Sequence, residues 1–98
     1  MEIIKARDVM EQPVAVQLTT TAYPNPSTNG FTLVAKGTNE KETAKIVVYN
    51  VSGKMIDAKT VVTDQLIKLG DTYRPGIYFA ELIQGHRKVT IKLIKQPD

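Results

Sequence analysis

Hydrophobic and polar residues alternate along the chain from Val14 onward, with the period of two that is typical of β-strands. Val14, Val16 and Leu18 occupy every second position, and the alternation continues through a run of threonines. Pro24 and Pro26 are predicted to end this first strand, because proline cannot donate a hydrogen bond to a central ladder. No later segment has the 3.6-residue period of an amphipathic helix. The pattern therefore predicts an all-β domain.

Six more short apolar runs follow, at spacings of roughly 8–12 residues and with turn-forming residues between them. The second of these six is rich in β-branched residues and is predicted to be covered on both faces. In the last run, the apolar side chains fall on one face and alternate with lysine and threonine on the other. Seven such strands predict an antiparallel β-sandwich of immunoglobulin-like type. The runs after the first occupy residues 31–35, 45–49, 55–62, 66–69, 77–83 and 88–94.

Glycine and proline mark the predicted turns between these strands. A cluster of turn residues ends at Gly30, which is free to take a positive φ before the second strand. Gly53 lies in a tight hairpin turn of sequence Ser-Gly-Lys, at the position that requires a positive φ. Pro75 and Gly76 stand where the centre of a type II turn requires them. Tyr78 has two interpretations, a tyrosine corner with its hydroxyl against upstream backbone or an ordinary half-buried strand tyrosine.

Composition and charge narrow the class of protein further. The 98 residues suffice for one domain, and 42% of them are hydrophobic, enough for a core between two layers. The chain has no cysteine, which excludes a disulfide framework and a thiolate metal site. Its net charge of +3 resides in residues 87–98, which carry four basic residues and one acid. This segment has no arginine cluster and no interleaved aromatic residues. We therefore expect its lysines to protect a strand edge rather than to bind nucleic acid.

The beginning of the chain differs from the rest. Residues 1–13 are polar and lack an apolar stripe, so we interpret them as a linker or the tail of a preceding region, with the sandwich domain spanning residues 14–98. No run approaches the roughly 18 apolar residues of a membrane-spanning helix, so membrane insertion is not expected. The first five residues include an early glutamate and lack the apolar core of a secretory signal. Export would therefore require a signal on a longer precursor.

Groups capable of catalysis are sparse in the sequence. His86 is the only histidine and lies in a predicted hairpin turn, so neither a Cys–His pair nor a convincing Ser-His-Asp triad can be assembled. The carboxylates are spread over predicted loops without the spacing of a calcium-binding loop, and no glycine-rich phosphate loop precedes a helix. Asn50, Val51 and Ser52 fit the N-glycosylation pattern, although a hairpin turn explains the asparagine better. We expect no catalytic residue, cofactor or metal.

Four short motifs occur in a fixed order along the chain: Tyr23-Pro24-Asn25-Pro26 followed by Gly30, then Tyr49-Asn50-Val51-Ser52-Gly53, then Pro75-Gly76-Ile77-Tyr78, and last a closing strand that carries lysines. In this order and spacing they resemble the C-terminal sorting domain, type A, of cargo proteins of the type IX secretion system in Bacteroidetes. The resemblance covers residues 18–96, whereas residues 2–12 and the last two residues match nothing in the family. The matching positions are Pro24, Asn25, Pro26 and Gly30 in the first motif, Tyr49, Asn50 and Gly53 in the second, Gly76 and Tyr78 in the third, and Lys92 and Lys95 in the closing strand.

The resemblance implies a seven-stranded immunoglobulin-like sandwich that acts as a secretion address rather than as an enzyme. The cargo would first reach the periplasm, and translocon and shuttle components of the type IX system would then read the domain. A sortase would cleave upstream of the fold, leaving the mature cargo secreted or at the cell surface. Lys92 and Lys95 are expected on an exposed terminal strand, which a partner can recognise by charge and backbone pairing. Each of the other motif residues could either support the fold or be recognised directly by a partner, and the sequence leaves both roles open.

Two other functions stay open on the sequence alone. The first is a non-catalytic carbohydrate-binding or adhesive immunoglobulin-like module, although the chain has no tryptophan and few aromatic residues. The second is a structural spacer, whose deletion would leave export of the cargo unchanged. In isolation, a loosely held first or last strand would favour a strand-exchanged homodimer.

Overall fold

A computed structural model of the chain describes residues 18–36 and 43–98, and this part is all-β with seven antiparallel strands. The predicted linker at 1–13, the start of the first strand at Val14 and most of the loop after Lys36 lie outside the described residues. The strands are β1 (Thr19–Tyr23), β2 (Phe31–Lys36), β3 (Thr43–Asn50), β4 (Met55–Val62), β5 (Leu66–Leu69), β6 (Gly76–Gln84) and β7 (Arg87–Lys95).

The strands form two sheets that face each other. The first sheet has the order β1-β2-β5 and the second the order β4-β3-β6-β7, and neighbouring strands are antiparallel throughout. The fourth strand pairs with the third, so the second sheet carries four strands and the first carries three. This arrangement confirms the predicted β-sandwich of seven short strands.

The core lies between the sheets and consists of every second residue of the strands that border it. Burying an aliphatic or aromatic side chain of this kind stabilises the fold by about 1.5–3 kcal/mol. On β3, Val47 points away from the core and is nevertheless only 5% exposed, whereas Lys45 on the same outer face is exposed and Tyr49 is half-buried. The prediction that this strand is covered on both faces therefore holds only at Val47. The fully buried large side chains are Phe31, Leu33, Ile46, Leu82, Leu93, Val48 and Thr63.

The turns confirm one glycine prediction and correct two others. Gly53 has a φ of +87° in the hairpin between β3 and β4, as expected. Gly30 does not have a positive φ; a Cβ there would lie 3.1 Å from the carbonyl oxygen of Leu69, so close approach of two backbones explains the glycine. Gly76 has a φ of +156°, far from the roughly +80° of a type II turn, and begins β6 opposite Lys95. The type II turn was therefore a wrong prediction.

Among the described residues, no helix is long and apolar enough to cross a membrane.

Candidate recognition surface at the closing strand

The first and last sequence motifs are in direct contact, because the side chain of Asn25 lies along the outer edge of β7. Its Nδ2 donates to the carbonyl oxygen of Lys92 at 2.7 Å, and the backbone N–H of Ile94 donates to its Oδ1 at 2.9 Å. One side-chain amide thus serves as donor and acceptor, as a peptide group of a neighbouring strand would. Pro24 and Pro26 flank this residue and are exposed, and the peptide bond before each is cis.

The backbone of Ser27 continues this contact toward the end of β7. Its N–H donates to the carbonyl oxygen of Ile94 at 3.0 Å, and its carbonyl oxygen accepts from Gln96 N–H at 2.8 Å. The outward-facing backbone groups from the Lys92 carbonyl to the Gln96 amide are therefore already paired. A partner strand could add along this stretch only by displacing Asn25 and Ser27, so the expected backbone pairing at the end of the chain is not freely available.

Lys95 is not exposed, which corrects the expectation that both motif lysines lie on an accessible strand. The residue is 6% exposed and shares the inner face of β7 with Leu93, since the two are two positions apart. Its Nζ donates to the carbonyl oxygen of Gly70 at 2.6 Å and to that of Asp71 at 3.2 Å. This lysine therefore fastens the end of β7 to the loop after β5 and offers no charge to a partner.

Lys92, in contrast, is exposed on the outer face of the four-stranded sheet. Phe79 on β6 lies directly opposite it, Tyr49 on β3 lies opposite Phe79, and Met55 on β4 lies opposite Tyr49. These residues form a row across all four strands, which we call the outer row (Met55, Tyr49, Phe79 and Lys92). Two motif residues, Tyr49 and Lys92, thus belong to one surface.

The remaining residues of the second motif build the hairpin between β3 and β4. Oδ1 of Asn50 accepts from the backbone N–H of Ser52 at 3.0 Å, from its hydroxyl at 2.8 Å and from the N–H of Lys54 at 3.0 Å. The N–H of Gly53 donates to the Asn50 carbonyl oxygen at 3.0 Å. The asparagine and the glycine are therefore explained by the turn that places Tyr49 and Met55 opposite each other.

Tyr78 forms the tyrosine corner that was one of its two interpretations. Its hydroxyl donates to the carbonyl oxygen of Arg74, four residues upstream, at 2.6 Å, and the side chain is buried. Its ring lies against that of Tyr73, with centroids 4.9 Å apart. The third motif therefore fixes the entry of the chain into β6, and its tyrosine has no face available to a partner.

Tyr73 lines an open groove beside this corner and donates its hydroxyl to Oδ2 of Asp57 at 2.8 Å. Burial, together with this hydrogen bond to a carboxylate, raises the pKa of Tyr73 well above its ordinary value. Lys54 and Arg74 border the same groove. The arrangement stabilises the corner but brings together no nucleophile and base.

Reactive groups do not converge elsewhere in the part of the chain that the structure covers. His86 is exposed in the turn between β6 and β7. No group of three or more histidine, cysteine or acidic side chains within residues 18–36 and 43–98 is arranged to hold a metal ion.

The sequence motifs missed three residues that the structure brings to this surface. Ser27 pairs with β7 through its backbone, and Met55 and Phe79 complete the outer row. A local motif could not reveal them, because each is defined by the register between distant strands. The one available signal was the period of β7, which puts Lys95 on the same face as Leu93 and Lys92 on the opposite one.

Comparison with known proteins agrees with the motifs. The model of a family described as "Secretion system C-terminal sorting domain" matches residues 21–96, a range that contains all four motifs. This match confirms the resemblance that the order of the motifs indicated. No curated protein matches the chain.

Proposed function

Because this chain belongs to the family of C-terminal sorting domains of the type IX secretion system, we propose that it directs the cargo protein to which it is joined across the outer membrane. The family is one of sorting signals and not of enzymes, it implies an origin in Bacteroidetes, and its cargo proteins are secreted or displayed at the cell surface. The domain then acts as a substrate of the secretion machinery.

The observation that carries this proposal is the contact between the first and last motifs. Asn25 and Lys92 belong to motifs at opposite ends of the domain, and they meet at one edge of the sandwich. The contact places the exposed, proline-flanked turn beside the exposed Lys92, so residues of two distant motifs share one edge of the folded domain. Their convergence supports a folded surface, rather than a linear peptide, as the address.

The finer steps of the route are part of the same proposal. The cargo passes through the periplasm, where shuttle and translocon components of the type IX system bind the folded domain. A sortase then cleaves upstream of residue 14, so that the sandwich is removed as a unit. The exposed residues Pro24, Asn25, Pro26 and Lys92 are the motif positions open to these partners, whereas the glycines, Asn50, Tyr78 and Lys95 support the fold.

A reporter fusion tests the export role. Residues 1–98 are joined to the C-terminus of a reporter that carries an ordinary signal peptide, and the fusion is expressed in a type IX-competent bacterium. We expect the reporter at the cell surface or in the medium, and in the periplasm when the domain is omitted or the translocon is deleted. Periplasmic retention of the complete fusion would overturn the proposal, and export independent of the domain would favour a spacer.

The cleavage step has its own measurement. Intact mass and C-terminal sequencing of the exported reporter locate the bond that is cut. We expect the reporter to end between its own last residue and residue 14, and to keep the whole domain in a strain without the sortase. An exported reporter that retains residues 14–98 in both strains would show that the domain is not removed.

The strand-exchanged homodimer stays a prediction for the isolated domain. Exchange of β7 would have to break the hydrogen bonds that Asn25 and Ser27 make to it and make them again to the strand of a second copy. Light scattering at high protein concentration measures the mass, and a monomer would contradict the prediction.

A further inference from the structure

The outer face of the four-stranded sheet carries an exposed apolar patch at its hairpin end. Met55 is 57% exposed, Ile77 39% and Phe79 37%, and Tyr49 and Ile94 are half-buried beside them. Single exposed hydrophobic side chains are ordinary, but a contiguous group on a flat sheet face marks an interaction site.

The register makes this patch continuous. Met55, Tyr49, Phe79 and Lys92 follow one another directly across the four strands, and strands of a sheet lie about 4.8 Å apart. Ile77 precedes Phe79 by two residues on the same face of β6 and lies opposite Ile94 on β7. Neighbours at these spacings are in side-chain contact range, so the patch presents one surface to a partner.

The charges on the same face are predominantly positive. Lys92 ends the outer row, and Lys45 and Lys88 lie on either side of Ile83 at the other end of the sheet. Glu81 is the one acid that the described strands place on this face, and its carboxylate lies 3.8 Å from the ammonium of Lys88. Within residues 18–36 and 43–98, no carboxylate lies within 4.0 Å of the Lys45 or Lys92 ammonium. Lys92 therefore borders the apolar patch with no carboxylate within 4.0 Å, and Lys45 lies at the opposite end of the same face, beyond Glu81.

We propose that this face docks a protein partner of the secretion machinery whose surface presents apolar side chains bordered by carboxylates. The proposal rests on the proposed sorting function and names the surface and the chemistry of the partner. Apolar contact with Phe79, Ile77 and Met55 supplies the affinity, and attraction of the partner's carboxylates to Lys92 and Lys45 orients the encounter and excludes basic surfaces.

The charge distribution argues against a second copy of this domain as the occupant. Two copies stacked through the same face would bring together two surfaces on which Lys45, Lys88 and Lys92 outnumber Glu81. Like charges that face each other across an interface cost free energy, whereas an acidic surface gains it. The excess of positive charge thus fits a partner of opposite charge.

The other sheet offers a matched control surface. The outer face of β1-β2-β5 also has an exposed leucine, Leu66 (65% exposed), with the exposed Lys68 two residues further on the same face. The rest of this face carries exposed threonines of β1 and the exposed Tyr23, which lies in a row with Thr32 and Lys68, so no row of apolar side chains crosses this sheet. Variants of Leu66 and Lys68 change exposed apolar area and charge as much as variants of the outer row do.

Export of the reporter fusion is the first measurement. We expect Phe79→Ser and Lys92→Glu each to lower export about tenfold, as truncation of a central interface residue does, and Leu66→Ser and Lys68→Glu to leave it unchanged. Lys92→Arg, which keeps the charge, is expected to retain export. Thermal unfolding of each purified fusion shows that the variants are folded.

Photo-crosslinking identifies the occupant without removing the aromatic ring. Benzoylphenylalanine replaces Phe79 or, as the control, Leu66, and the cells are irradiated during export. We expect a crosslinked protein only from position 79, lost in the additional presence of Lys92→Glu, with a crosslinked peptide that contains apolar and acidic residues. A crosslink to a second copy of the fusion, or a partner peptide rich in lysine and arginine, would overturn the proposal.

Two binding measurements test a membrane and a carbohydrate as alternative occupants of this face. The purified domain is sedimented with vesicles of anionic phospholipid and is applied to a glycan array. If the domain binds the vesicles or a glycan, and if Phe79→Ser or Lys92→Glu abolishes that binding, the face is assigned to a membrane or to carbohydrate. Either result would contradict the protein partner.

The results also separate this proposal from the sorting function. If the unaltered fusion is not exported, the sorting function fails. If the unaltered fusion is exported and the folded variants Phe79→Ser and Lys92→Glu are exported equally well, the sorting function stands and the docking face is wrong.

Discussion

Asn25 donates its side-chain amide to the carbonyl oxygen of Lys92 at 2.7 Å, across 67 residues of sequence. The same side chain accepts the N–H of Ile94, so that the first motif of the domain occupies the strand edge of the last. The exposed lysine of the closing strand is therefore held in place by the proline-flanked asparagine that precedes β2.

Replacement of Asn25 by aspartate tests this contact. The substitution keeps the shape of the side chain but removes the donor and places a carboxylate beside the Lys92 carbonyl oxygen. We expect the free energy of unfolding to fall by about 1 kcal/mol, as for one hydrogen bond, measured by urea unfolding. Asn29→Asp, an exposed position in the same turn, is the control and should change it by less than about 0.5 kcal/mol. Equal stability of the two variants would contradict the role of the amide.

The two motif lysines are predicted to separate stability from recognition. Lys95→Met keeps the apolar stem but leaves the carbonyl oxygens of Gly70 and Asp71 without their charged donor, and should lower the free energy of unfolding by about 2 kcal/mol. Lys92→Met should lower it by less than about 0.5 kcal/mol, because that ammonium is exposed. Thermal and urea unfolding of the two variants provide the comparison. A larger loss in Lys92→Met than in Lys95→Met would reverse the assignment.

The tyrosine corner is expected to contribute one hydrogen bond to stability. Tyr78→Phe removes the donor to the carbonyl oxygen of Arg74 and should lower the free energy of unfolding by about 1 kcal/mol without changing the fold. Tyr49→Phe is the matched control, since no hydrogen bond joins the Tyr49 hydroxyl to another described residue. Denaturant unfolding distinguishes them, and a loss of the same size in both variants would argue against the corner.

Stability at high pH is predicted to depend on Tyr73. Its pKa is raised in the folded state, so above the unfolded pKa of about 10 the native state retains a proton that the unfolded chain has lost. The contribution of Tyr73 to the free energy of unfolding is fully present below pH 10. It falls as the pH rises further, by at most about 1.4 kcal/mol per pH unit. Urea unfolding between pH 9 and pH 11 should show this slope in the parent, and a smaller one in Tyr73→Phe. An unchanged slope in the variant would assign the effect to other groups.

The fold was predictable where its signals are local. The period of two in the apolar runs and the hairpin at Gly53 depend on residues close together in sequence, and both appear as expected. The tyrosine corner at Tyr78 is also local, and the structure decides between the two interpretations that the sequence left open. The prediction of a type II turn at Gly76 was wrong, because a Pro-Gly pair also suits a strand that begins with an extended glycine.

The candidate surface was less predictable, because it depends on distant contacts. Lys92 and Lys95 look alike in the sequence, and only the register of β7 against β6 and the position of the loop after β5 distinguish them. Phe79 carries no motif at all, yet it connects Tyr49 to Lys92. Alternation along one strand assigns a face to each residue, whereas the neighbours on that face come from strands that the chain reaches much later.

The attachment of β7 at both of its edges couples the recognition surface to the folding of the whole domain. This strand is the seventh of the sandwich; it pairs with β6 on one side and with Asn25 and Ser27 on the other. A domain truncated before Lys92 lacks the core residue Leu93 and the lysine of the outer row at the same time. Loss of this one strand would therefore remove the stability of the fold and the surface for a partner together, so that only correctly folded domains would be recognised.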